Sequence, residues 1–203
     1  MQSSDFRQGR ALMLNKTFLE NINKERTAYR AERREVIKLS GDALNASKRA
    51  IFALHRDDME QGEALLKEAG DLFLSVRELT EKTPRLADEG SYKAGLEEFV
   101  EASLYHQYVT TGKVDAVDFP DVRNDIYLGG LADLSGELQR RQVKAATKGN
   151  IEEVQKIKDA IEEIVSSLLA MDLDGYLRTK FDQTKNSLRR AEDILYEVTL
   201  KRS

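Results

Sequence analysis

Residues 31–56, AERREVIKLSGDALNASKRAIFALHR, decide the fold of this chain because they belong to one very long predicted helix. No proline interrupts residues 5 to 54, and only Gly9 and Gly41 weaken helix formation there. Within this helix, residues in a seven-residue register predict a narrow seam against partner helices. The members of that register are Ile37, Ser40, Leu44, Ser47, Ile51 and Leu54. The segment therefore predicts a bundle built along one long helix.

The rest of the chain predicts shorter helices and no strand. Apolar residues recur there at spacings of three and four, and Asp, Pro, Gly and Asn residues mark the helix ends. The predicted helices span about residues 59–82, 87–111, 118–148, 151–168 and 181–198. Short connections make successive helices antiparallel neighbours. We therefore expect an all-α, antiparallel bundle of about six or seven helices, in a single domain spanning residues 1–203.

Composition narrows the classes of function. Of the 203 residues, 40% are hydrophobic and 33% are charged, which is typical of a globular protein. The chain has no cysteine and only two histidines, so any metal would have to be held by oxygen ligands. It also lacks an apolar run of about 20 residues and an apolar leader. We therefore expect a cytoplasmic protein that does not bind membranes.

Four acidic residues are the strongest candidates for chemistry. Glu98 and Glu101 are three residues apart, and Asp133 and Glu137 are four residues apart. In a helix each pair projects from one face, so two adjacent helices could bring four carboxylates together. Hard divalent cations such as Mg²⁺ prefer such oxygen-rich clusters.

An isolated pair of glutamates on a helix is usually a solvated face, so the surroundings of the first pair matter. That pair flanks the apolar residues Phe99 and Val100, and a carboxylate at a buried edge needs a partner. The partner is either a cation or the arginines Arg140 and Arg141. A di-iron bundle is excluded, because Leu104 stands where its Glu-x-x-His motif requires histidine.

Three glycines lie around the second acidic pair. Gly129, Gly130 and Gly136 fall inside a predicted helix, where each costs about 1 kcal/mol relative to alanine. Such a small-residue surface allows close approach of another helix or of a phosphate backbone. Tight packing against the third helix is the favoured interpretation.

Basic residues follow the first helix. Residues 1–56 carry 12 lysines and arginines against 6 aspartates and glutamates, whereas the chain as a whole has a net charge of −4. Positive charges recur there every four residues, which is equally consistent with a nucleic-acid track and with a solvated, salt-bridged face. The candidate nucleic-acid-binding residues are Arg26, Arg30, Arg33, Arg34, Lys38, Lys48 and Arg49.

Several segments resemble the translin family, and within it the Trax branch. They are REVIKLS at 34–40, SKRAIFALHR at 47–56, EFVEA at 98–102, YLGGLADLSGEL at 127–138 and AEDILYEV at 191–198. The resemblance implies an all-helical subunit of a hollow octamer that binds single-stranded RNA or DNA. Trax-type subunits cut RNA at a magnesium-dependent carboxylate site, which translin subunits lack.

By that resemblance, the catalytic and metal-binding residues are Glu98, Glu101, Asp133 and Glu137, with Glu97 as an accessory acid. The implied cofactor is Mg²⁺, with Mn²⁺ as the alternative. The sequence therefore predicts an endoribonuclease acting on single-stranded RNA in a homo-octamer, or in a hetero-octamer with a translin-type subunit. Two alternatives are a non-catalytic single-strand-binding assembly and a purely structural bundle. The basic residues would hold the RNA backbone, with bases stacking on Tyr105 or Tyr108.

Overall fold

The computed structural model describes residues 13–200, and within that range it contains six α-helices and no strand. These are α1 (Lys16–His55), α2 (Met59–Lys82), α3 (Gly90–Thr111), α4 (Asn124–Thr147), α5 (Ile151–Leu169) and α6 (Gly175–Leu200). A short 3-10 helix, Pro84–Asp88, lies between α2 and α3. The prediction of an all-α bundle with one long N-terminal helix is confirmed.

The helices pack around one main core. α1 packs against α2 and α3, while α4 packs against α3, α5 and α6. Phe73, Leu104, Leu134 and Ile161 are fully buried in this core, each from a different helix. α4 therefore lies at the centre and joins the α1–α3 group to α5 and α6. No helix within residues 13–200 combines the length and apolarity needed to cross a bilayer.

α1 and α3 begin later than the sequence predicts. α1 begins at Lys16 because the Asn15 side chain caps it by accepting a hydrogen bond from the Phe18 amide at 3.0 Å. The predicted start at residue 5 lies outside the described residues, but residues 13–15 are not helical. α3 begins at Gly90 rather than at residue 87, because Pro84–Asp88 forms the 3-10 helix instead.

The buried seam of α1 differs from the predicted one. Four of the six predicted seam residues, Ser40, Ser47, Ile51 and Leu54, are buried. Leu44 is half-buried, whereas Ile37 is 38% exposed, so its prediction as a seam residue was wrong. The buried face is formed mainly by small residues, namely Ser40, Ala43, Ala46, Ser47, Ala50 and Ala53, together with the larger Val36, Ile51 and Leu54. Small side chains allow α2 and α3 to approach α1 closely. Ile37 lies off this buried face and is exposed to solvent.

The start of α4 also moves from the predicted residue 118 to Asn124. Asp121 has a φ of 65°, in the left-handed region, and its side chain accepts a hydrogen bond from the Tyr92 hydroxyl at 2.7 Å. Phe119 packs on Phe99, with ring centroids 4.9 Å apart. Packing of the connection against α3 therefore outweighs the local helix-start signal.

The glycines of α4 make a close contact with α3. A Cβ atom on Gly130 would lie 2.7 Å from Val100 Cγ1 and 2.9 Å from the Glu97 carbonyl oxygen. A Cβ atom on Gly129 would overlap the Glu97 carboxylate, whereas one on Gly136 would meet nothing within 4 Å. The helix-packing interpretation is thus confirmed for Gly129 and Gly130 but not for Gly136.

We predict that Gly130→Ala destabilises the protein, because the added methyl group would meet Val100 and the α3 backbone. The expected loss is about 1–3 kcal/mol in the free energy of unfolding. Gly136→Ala, in the same helix, is the matched control and should stabilise by up to about 1 kcal/mol, since it adds helix propensity without a clash. Urea unfolding measures both. Equal stability of the two variants would contradict the close α3–α4 contact.

Candidate functional site

The close contact of α3 and α4 places the four predicted acidic residues in one region. Glu98 and Glu101 project from α3, and Asp133 and Glu137 project from α4. Glu101 is repelled by the charges of the other three carboxylates, so all four lie within mutual electrostatic range. We refer to Glu98, Glu101, Asp133 and Glu137 as the acidic cluster. Its role in metal binding stays a prediction.

Glu101 is the most confined member of the cluster. It is 8% exposed and makes no hydrogen bond or ion pair with any residue between 13 and 200. Burial, followed by repulsion from Glu98, Asp133 and Glu137, raises the pKa of its carboxyl group to about 9. At neutral pH this carboxyl group is therefore protonated unless a cation neutralises the cluster.

Glu98 lies at the edge of the cluster that faces α1. Burial raises the pKa of its carboxyl group, and the charges of Asp133 and Glu137 add to that effect. Lys48 of α1 opposes it, with its Nζ 3.8 Å from the Glu98 carboxylate. The Lys48 side chain is 53% exposed, so this pair stays open to solvent at the rim of the cluster.

Lys180 of α6 supplies a counter-charge on the opposite side. Its ammonium group donates to the Asp133 carboxylate and lies 2.8 Å from Glu97 Oε1, which also accepts a hydrogen bond from the Tyr176 hydroxyl at 2.6 Å. Burial works against the charge on Lys180, but its bonds to Asp133 and Glu97 outweigh burial and raise its pKa. Gly129 leaves room for the Glu97 carboxylate. Glu97, predicted as an accessory acid, is thus an ion-pair partner.

His55, at the end of α1, links the cluster to the core. Its Nε2 is hydrogen-bonded to the Glu137 carboxylate, and its Nδ1 lies 2.9 Å from the Tyr105 hydroxyl. Burial raises the pKa of Tyr105 to about 12, so its hydroxyl stays protonated and can donate to Nδ1. The tautomer with its proton on Nε2 satisfies both bonds, since it donates to the Glu137 carboxylate and accepts at Nδ1 from the Tyr105 hydroxyl.

The acidic cluster does not form a ready-made metal site. Among residues 13–200, no three His, Cys, Asp or Glu side chains are arranged so that they could hold a metal ion. Two of the four carboxylates point towards other partners, Asp133 towards Lys180 and Glu137 towards His55. The arrangement is therefore a half-buried anionic cluster, bounded by Lys48, Lys180 and His55.

The predicted nucleic-acid-binding residues lie on the surface of α1. No residue of α1 before Val36 is buried, and Arg26, Arg30 and Arg34 are all exposed. Lys38 and Arg49 are exposed too. Two members of the set have acidic partners, since Arg33 pairs with Glu89 at 2.7 Å and Lys48 pairs with Glu98. The basic stripe, defined here as Arg26, Arg30, Arg34 and Lys38, is therefore available to a polyanion but is not aimed at the acidic cluster.

Three side chains near the cluster, Tyr105, Lys180 and Tyr176, were missed or misjudged from the sequence. Tyr105 is fully buried, so its predicted stacking on a base was wrong, whereas Tyr108 is only half-buried. Lys180 and Tyr176 come from α6, far along the chain from α3 and α4, and no local spacing indicates that they lie near the acids.

Comparisons with known proteins agree with this architecture. Residues 31–202 match the model of the Translin family. The Translin-associated protein X homolog of Schizosaccharomyces pombe is 25% identical over 189 residues, which cover 84% of this chain and 82% of that protein.

Two solved structures superpose closely. The crystal structure of apo-NeC3PO has a TM-score of 0.82 at 25% identity, covering 94% of this chain and all of the other. The structure of AfC3PO in complex with duplex RNA has a TM-score of 0.81 at 22% identity, covering 91% of this chain and 97% of the other. Since the family model matches most of the sequence, the chain belongs to the translin family.

Proposed function

We propose that this protein is a Mg²⁺-dependent endoribonuclease that cuts single-stranded RNA inside an oligomeric shell of translin-family subunits. The observation that carries the proposal is the environment of Glu101. A buried carboxyl group without a hydrogen-bond partner, facing three other carboxylates, is costly to ionise unless a cation compensates. A divalent cation bound by oxygen ligands supplies that compensation.

Family membership supports the RNA substrate and the assembly. The resemblance to Trax implies RNA cleavage by carboxylates at these four positions, and the structure of AfC3PO, which shares the fold, was solved as a complex with duplex RNA. We propose a homo-octamer, because one chain supplies all four acids. A hetero-octamer with a translin-type subunit, and single-stranded DNA as a second ligand, remain alternatives.

In this proposal Glu98, Glu101, Asp133 and Glu137 hold Mg²⁺, or Mn²⁺ in its place. The chemistry supplied by the bound ion is activation of water and neutralisation of charge on the scissile phosphate. Asp133 takes part by turning from Lys180 towards Glu101, and Glu137 offers Oε1, the carboxylate oxygen that His55 does not bind.

Neighbouring side chains orient these acids and the substrate. The hydrogen bond from the His55 imidazole restrains Glu137, and Tyr105 restrains the imidazole in turn. Lys48 and Arg140 lie at the rim with side chains 53% and 50% exposed, where they can contact phosphate oxygens. No side-chain nucleophile is required.

We predict that Glu101→Gln stabilises the metal-free protein at pH 8. The pKa of Glu101 is raised in the fold, so protonation contributes stability that is present below about pH 4.5 and is lost as pH rises towards 9. Glutamine mimics the protonated acid and escapes this loss. The expected gain at pH 8 is about 2 kcal/mol or more, or roughly 4 °C or more in melting temperature, and it should disappear near pH 4.5.

The same melting experiment with Mg²⁺ tests metal binding without any activity assay. Millimolar Mg²⁺ should raise the melting temperature of the wild type and have little effect on Glu101→Gln. Glu78→Gln, which changes an exposed glutamate of α2, is the matched control and should respond to Mg²⁺ like the wild type. If Mg²⁺ shifts the melting temperatures of Glu101→Gln and the wild type equally, Glu101 is not a metal ligand.

We predict that the wild type cleaves a short single-stranded RNA in Mg²⁺ and not in EDTA. Glu101→Gln should lower the cleavage rate by about 100-fold or more, because it weakens the cation site that neutralises the scissile phosphate. RNA affinity of the variant should change little, and Glu78→Gln should cleave normally. Gel electrophoresis of end-labelled RNA measures cleavage, and fluorescence anisotropy measures binding.

The outcomes of that assay separate the candidate functions. Binding without cleavage in Mg²⁺ or Mn²⁺ would contradict the nuclease and favour a non-catalytic binding assembly. An absence of both RNA binding and RNA cleavage would favour a purely structural role for the bundle. Cleavage that survives both EDTA and Glu101→Gln would place the active site elsewhere.

We predict that the basic stripe contributes to RNA binding through phosphate contacts. Replacing Arg26, Arg30 and Arg34 with glutamine should reduce the slope of log affinity against log salt by about 0.7 for each lost contact. The control variant replaces three exposed basic residues elsewhere, Lys67, Arg189 and Arg190, which makes the same change in net charge. If both triple variants show the same slope, the stripe is only a solvated helix face.

A further inference from the structure

A groove between α1 and α4 opens beside the acidic cluster. Its volume is about 380 Å³, within the range of roughly 300–1,000 Å³ seen for small-ligand sites. The groove is lined by Phe52, His55, Arg56, Arg140, Val143 and Lys144. The groove thus combines an aromatic ring with several cationic side chains. No function was predicted for it from the sequence.

Phe52 is the distinctive residue of this groove. It is 50% exposed although its neighbours Ile51 and Ala53 are buried, so it lies off the packed face of α1. The guanidinium carbon of Arg140 lies 4.8 Å from the centroid of its ring. With Arg140 in place, half of the Phe52 side chain still faces solvent and is available for stacking.

The charges around Phe52 favour an anionic ligand. Arg56 follows Phe52 by one helical turn, is exposed and donates to Gln61 Oε1 at 3.0 Å. Lys144 is held in place by bonds to Asp57 at 2.7 Å and to the His55 carbonyl oxygen at 2.6 Å. The groove therefore offers two exposed arginines, Arg56 and Arg140, at its rim and a hydrogen-bonded ammonium group in its wall.

Two side chains that line the groove, His55 and Arg140, also contact Glu137 of the acidic cluster. His55 lines the groove and is hydrogen-bonded to Glu137 through Nε2. Arg140 stacks on Phe52 and lies 3.7 Å from the Glu137 carboxylate. A ligand stacked on Phe52 would thus lie next to the carboxylates, separated from them only by these side chains.

We propose that this groove is a subsite for one nucleotide of the RNA strand, directly beside the cleaved bond. The base stacks on Phe52, and the adjoining phosphate is bound by Arg140 and Arg56. Charge complementarity and an open aromatic face are the two requirements for binding a single strand without sequence preference, and the groove meets both. The inference rests on the proposed nuclease function, because it takes RNA as the ligand of the neighbouring cluster.

The test compares RNA affinity and cleavage kinetics of Phe52→Ala and Phe52→Trp with those of the wild type. Phe52→Ala should weaken binding of a short single-stranded RNA, or raise KM, by about 10-fold or more, because it removes a base-stacking contact. Phe52→Trp should bind at least as tightly as the wild type. Phe18→Ala is the matched control, since Phe18 is 61% exposed on the same helix roughly 50 Å away.

Binding is measured in Mg²⁺ on a Glu101→Gln background, so that it does not depend on cleavage. If the wild type cuts no RNA, the nuclease fails, yet the affinities still test the subsite. If the wild type cuts RNA and Phe52→Ala leaves affinity and KM unchanged, the subsite fails and the nuclease stands. Molar mass is measured in parallel, because a Phe52→Ala variant that loses oligomers but binds RNA normally would assign this surface to a second copy of the chain.

Discussion

The close approach of α3 and α4 is the constraint on which the candidate site depends. Gly129 and Gly130 each cost about 1 kcal/mol in helix propensity, and that cost is offset by packing, of Val100 and the α3 backbone against Gly130 and of the Glu97 side chain against Gly129. Larger residues there would push the helices apart and separate the two acidic pairs. The spacing of the acids along each helix sets their direction, but the glycines set the distance between the pairs.

Bringing the acids together creates an electrostatic problem that other helices partly solve. α6 places Lys180 against Asp133, and α1 places His55 against Glu137 and Lys48 near Glu98. These contacts neutralise the edges of the cluster but leave its centre, Glu101, without a partner. The free-energy cost of ionising Glu101 there raises the pKa of its carboxyl group. Carboxyl groups with such raised pKa values cluster at functional sites.

The sequence predicted most of the fold because helix periodicity and caps are local signals. It predicted the α3–α4 contact from three glycines, of which Gly129 and Gly130 make it, and it predicted from their spacing that the four acids lie close together. The predictions failed where tertiary packing determines the structure. Ile37 is exposed because mainly small residues form the buried face of α1. α4 starts late because Phe119, in the connection before it, packs on Phe99. Lys180 could not be found at all, since only the fold brings α6 to the cluster.

Under the proposed function, the arrangement of charge also separates the surface that binds RNA from the site that cuts it. The basic stripe lies on the exposed part of α1, while the acidic cluster lies beside the other end of that helix. A phosphate is attracted to the stripe but repelled by uncompensated carboxylates, so a cation at the cluster lowers the repulsion that the strand meets there. Arg140, placed between Phe52 and Glu137, lies where this repulsion must be overcome. Under the proposed function, metal binding would thus help to place the scissile phosphate as well as supply the chemistry, while most of the affinity for RNA comes from contacts outside the acidic cluster.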